Sequence, residues 1–70
     1  MLVTIIYAEN YESNAKSLRS AVKSRWSDAK VNLLGTRKTL YQVQLERDIV
    51  YGADSVTDDD TITDLIEARL

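Results

Sequence analysis

The chain has no cysteine, no histidine and no proline, and its only glycines are Gly35 and Gly52. Without cysteine there is no disulfide, no thiol nucleophile, no dithiol redox centre and no thiolate metal site. Without histidine it lacks the commonest general acid/base at neutral pH and a principal zinc and copper ligand. What remains is carboxylate, lysine, tyrosine and hydroxyl chemistry. The shortage of proline and glycine predicts regular elements joined by short loops. No apolar run approaches the roughly 20 residues that span a bilayer. Met1 to Ala8 is apolar but lacks a basic leader, so it reads as a first strand and not a signal peptide. Small secreted domains usually rely on disulfides, so a cytoplasmic location is expected.

Seventy residues make one domain. Val, Ile, Leu and Tyr are spread along the chain, which argues for a packed core. The net charge of −2 hides an asymmetry. Residues 1–40 carry seven basic side chains against three acids, and residues 41–70 carry two against eight. A bipolar molecule is expected.

Leu2 to Tyr7 is β-branched and almost continuously apolar, as in a strand covered on both faces. Tyr11, Ala15, Leu18, Val22 and Trp26 then follow a helical period. A helix is expected over about residues 12–26, with Asn10 or Ser13 as N-cap and Lys23 and Arg25 near its negative end. Lys30 to Leu34 reads as a short strand, and Gly35 to Lys38 as a turn. From Leu40 to Leu45 apolar and polar residues alternate, with Tyr41, Val43 and Leu45 inward and Gln42 and Gln44 outward. Glu46 to Asp48 turns the chain, and Ile49 to Tyr51 pairs back. After a loop, Thr57 with Asp60 fits a capping pattern. Ile62, Leu65, Ile66 and Leu70 form the apolar stripe of a last helix. The order is β-α-β-β-β-α. It predicts a two-layer α/β (α+β) sandwich whose first two strands are parallel through a right-handed crossover. The sheet should be mixed and four-stranded, with both helices on one face.

This arrangement resembles the selenoprotein W-like (Rdx-type) family of the thioredoxin-like fold. There, a strand ending in Tyr runs into Cys-x-x-Cys or Cys-x-x-selenocysteine. Here Val3-Thr4-Ile5-Ile6-Tyr7 keeps the strand, while Ala8 and Tyr11 stand at the two chalcogen positions. Val31 to Thr36 looks like the family's second strand and Gly-Thr turn, and Tyr41 to Val50 like its hairpin. The likeness covers nearly the whole chain in element order. With its diagnostic motif missing, it implies a divergent relative without thiol activity, repurposed for binding.

Four features are candidates for function. Glu9, Asn10 and Tyr11 follow the first strand, where ligands often sit in α/β folds; the plainer reading is a polar loop with a cap. Lys16, Arg19 and Lys23 form one helical stripe, to which Lys30, Arg37 and Lys38 would add if the fold brings them alongside. The stripe would suit an acidic protein or nucleic acid phosphates, although the pI of about 4.9 argues against nucleic acid. Asp58-Asp59-Asp60 lacks the ligand spacing of a calcium loop and reads as helix capping. Trp26, the only tryptophan, reads as closing the core.

Together these features predict a non-catalytic protein-binding module, an adaptor or inhibitor of a larger protein, with no cofactor and no metal. Its size and lack of catalytic equipment fit a phage or mobile-element product acting on a host protein. The alternatives are a nucleic-acid-associated protein using the basic helix, and an enzyme using Tyr11, Glu9 or Lys16. An unpaired edge strand would also allow a homodimer.

Overall fold

The computed structural model describes residues 1–70. Strand β1 (Leu2–Ala8) leads through a single 3-10 turn (Glu9–Tyr11) into helix α1 (Glu12–Arg25). Strands β2 (Lys30–Thr36), β3 (Tyr41–Leu45) and β4 (Asp48–Ala53) follow, and helix α2 (Asp59–Glu67) ends the chain. The expected β-α-β-β-β-α order is present. The sheet order is β2-β1-β3-β4. β1 runs parallel to β2 and antiparallel to β3, and β3 and β4 form an antiparallel hairpin.

β1 is the central strand, paired along both sides. Its Val3 and Ile5 have no exposed surface and lie under both helices, among Ala15, Leu18 and Val22 of α1 and Ile62 and Ile66 of α2. Tyr41, Val43 and Leu45 complete the layer, as their alternation predicted. The helices pack side by side on this one face. Arg25 of α1 donates to Asp64 (3.1 Å) and Glu67 (2.6 Å), and Ser17 donates to Asp59. These contacts are exposed, so each ion pair adds only about 0–1 kcal/mol. The apolar layer supplies the stability.

The other sheet face has no cover, contrary to the expectation that β1 is sheathed on both sides. Its apolar Leu2 and Ile6 are only half-buried, on the side opposite Val3 and Ile5. Strand register sets two middle rows across this face. Asn32, Thr4, Gln44 and Ile49 make one row. Leu34, Ile6, Gln42 and Gly52 make the next. A side chain at Gly52 would meet Ile49 Cγ2 at 3.6 Å, which places both positions on this side.

Several boundaries differ from the sequence reading. β2 continues through Gly35 and Thr36, because β1 extends to Ala8 and the parallel ladder carries both residues. Neither Asn10 nor Ser13 caps α1: Asn10 lies inside the 3-10 turn, and the cap residue Tyr11 makes no side-chain cap bond. At α2 the cap is Asp58, not Thr57. Its carboxylate accepts from the Thr61 hydroxyl (2.7 Å) and the Thr61 backbone N–H (3.1 Å). Leu65 and Leu70 are exposed, and the buried face of α2 is Ile62, Thr63 and Ile66. Thr63 is accommodated because its hydroxyl donates to the Asp60 carbonyl.

Two tests follow from this packing. Leu18→Ala should lower stability by about 2–5 kcal/mol in urea unfolding, because it empties the centre of the α1 interface. The second concerns acid. The Thr61 hydroxyl, then its N–H, hold the Asp58 carboxyl below its usual range. That contribution is complete above the unfolded carboxylate pKa of about 4 and is lost as pH falls through the lower folded value. Asp58→Asn should therefore melt lower at pH 7 and show a shallower acid-side decline when melting is followed from pH 7 to 2.5.

Candidate functional site

The topology collects positive charge at one margin of the molecule. α1 runs back across the sheet, antiparallel to β1 and β2. Its Ser17, Ala21 and Ser24 turn toward α2, so Arg19, Lys23 and Lys16 occupy the opposite flank by helical period. That flank overlooks β2, which is an edge strand. Lys30 begins β2, and Arg37 and Lys38 follow its end. The α1 stripe lies alongside β2, with Lys23 toward the Lys30 end and Lys16 toward the Arg37 end; Val31 and Leu33 face the helices, so Lys30 shares the opposite sheet face with Asn32 and Leu34. Lys16 is paired with Glu12 at 3.6 Å. Arg19, Lys23, Lys30, Arg37 and Lys38 make no ion pair.

Acids hold the opposite margin. Asp48 opens edge strand β4 and Asp54 follows it, and Asp59, Asp60, Asp64 and Glu67 are on α2. The Asp58–Asp60 run does not converge, and no group of three or more potential ligands could hold a metal ion.

Glu9 and Asn10 are exposed at the end of β1, but Tyr11 is occupied internally. Its hydroxyl donates to the Asp54 carbonyl at 3.0 Å, and its ring meets that of Tyr41 edge-on, with centroids 6.0 Å apart. Tyr51 flanks Tyr41 on the other side at 6.3 Å and donates to the Ser55 carbonyl. The outer two tyrosines thus tie down the β4–α2 loop. The Tyr41 hydroxyl between them is buried without a partner. Burial, then the charge of Asp59 and the neighbouring Tyr51, push its pKa up to about 12. Trp26 is half-buried against the core with the Arg25 guanidinium 5.3 Å from its ring centroid.

Sequence reasoning missed the Arg25 clamp, the Ser17–Asp59 bond and the identity of the edge strands. The first two depend on how two helices meet, and no local pattern encodes that. The groove between the helices, lined by Ala21, Ser24, Arg25, Asp60 and Thr63, is open and shallow. No protein-family model matches the chain, and no curated protein is similar to it in sequence.

The orphaned hydroxyl yields a test. Tyr41→Phe should leave stability at pH 7 equal or higher, the reverse of ordinary core truncation, because an unpartnered buried polar group disappears. The folded pKa lies above the unfolded value of about 10, so the unfolded chain loses its proton first. Stability from this group is complete below about pH 10 and falls as pH rises toward 12. Denaturant titrations across that window should show a shallower alkaline decline in the variant.

Proposed function

We propose that this chain is a non-catalytic binding module that receives an acidic segment of a partner protein along its basic margin. One observation carries the reading: unpaired cations from α1 and β2 lie beside an open strand edge, while the acids lie across the molecule. An extended segment adding to β2 would gain main-chain hydrogen bonds, and its acidic side chains would meet Arg19, Lys23 and Lys30. The segregated charge would also steer the approach of such a partner. A cysteine-free domain of this kind suits the cytoplasm.

Descent from a selenoprotein W-like frame is consistent with this reading, and the element order supports it. Ala8, at one chalcogen position, is buried, and Tyr11, at the other, is engaged with the β4–α2 loop. Neither carries redox chemistry, so the frame would serve recognition alone.

The test is affinity capture from lysate of the source cells, with and without nuclease, against an Arg19→Glu/Lys23→Glu/Lys30→Glu variant. The expected result is one protein captured, resistant to nuclease and lost in the variant. Capture that requires nucleic acid and weakens steeply with salt would replace this reading with phosphate binding. Capture unchanged in the variant would remove the basic margin from consideration.

A further inference from the structure

We propose that the uncovered sheet face is the contact through which two copies of this chain form a dimer. The proposal stands independently of the acidic-partner reading, since it leaves the β2 edge and the α1 flank free.

Charged residues make up 29% of the chain, yet none occupies either middle row of this face. A solvent-facing sheet normally carries polar residues, charged ones included. Here it carries Thr, Asn and Gln around Ile6, Leu34 and Ile49. Leu34 and Ile49 are 51% and 52% exposed, among the largest apolar exposures in the molecule. The charges begin at the rim, with Lys30 and Glu46 at one end and Arg37 and Lys38 at the other. A charge-free centre inside a charged rim is the anatomy of a protein interface.

Electrostatics selects a second copy as the occupant. The basic margin repels itself, and so does the acidic one. Antiparallel β2–β2 pairing would set Lys30 against the Thr36–Arg37 end of its mate, and β4–β4 pairing would set Asp48 against the Ala53–Asp54 end. The uncovered face alone meets its own image without like charges at the centre, and a two-fold contact there closes at two copies. Area is consistent with a weak association. Four strands at about 4.8 Å spacing and about six residues at roughly 3.3 Å cover roughly 400 Å² in projection. Two faces then remove roughly 800–1,000 Å² from water, the small end of specific interfaces.

Sedimentation equilibrium of the full chain from micromolar to millimolar concentration tests the proposal. Leu34→Lys and Ile49→Lys serve as variants, because both side chains are exposed and the fold does not depend on them. A dimer insensitive to salt and weakened at least tenfold by either substitution is the expected result. A monomer throughout the range overturns the proposal. A dimer that weakens with salt, survives Leu34→Lys and is lost in Lys30→Glu or Asp48→Lys also overturns it, in favour of head-to-tail pairing of β2 with β4.

Discussion

Everything in this fold depends on β1 being central. A strand hydrogen-bonded on both sides and covered by two helices has no tolerance for a shift in register. Val3 and Ile5 face the helices because Leu45 and Val43 lie opposite them on one side and Val31 and Leu33 on the other. A slip of β1 by one residue would turn Val3 and Ile5 away from α1 and α2 and out of line with the other four. The parallel crossover through α1 and the hairpin of β3 and β4 are two ways of closing the same strand.

Charge segregation follows from that arrangement. The crossover carries the first half of the chain, rich in lysine and arginine, to the β2 margin. The hairpin and α2 carry the acidic half to the other. The modest bias along the sequence becomes a dipole across the molecule because the topology sorts the halves by edge. The few cross-molecule contacts of opposite sign, Arg25 with Asp64 and Glu67, join the two halves of the helix layer.

Element order and the inward residues of β3 were legible because periodicity is a local property. The alternation in Tyr41 to Leu45 and the helical spacing from Tyr11 to Trp26 both name a buried face directly. The exposed apolar face was not legible. Leu2, Thr4 and Ile6 sit in a run whose continuity suggested two covers, and only the placement of both helices on one side reveals the other as bare. The caps failed for a similar reason. Asn10 has the right chemistry, but the 3-10 turn shifts the helix start past it, while Asp58 displaced Thr57 by one residue. At the candidate site the α1 stripe was readable, but its union with β2 required knowing which strand lies at the edge.

The turn between β3 and β4 is held by a strand distant in sequence. Glu46 holds a left-handed backbone, with φ of 54°, which a non-glycine residue adopts at a cost of about 1–2 kcal/mol. It is held there by β1: the Glu46 carboxylate accepts from the Leu2 N–H at 2.7 Å, and the Glu46 N–H donates to the Leu2 carbonyl. Both bonds join residues more than forty positions apart. The hairpin tip is therefore unfavourable in isolation and favourable once the amino-terminal strand is docked. Although this hairpin is the shortest loop closure in the sheet, its tip takes two of its hydrogen bonds from the amino-terminal strand, so the stability of the turn is coupled to β1.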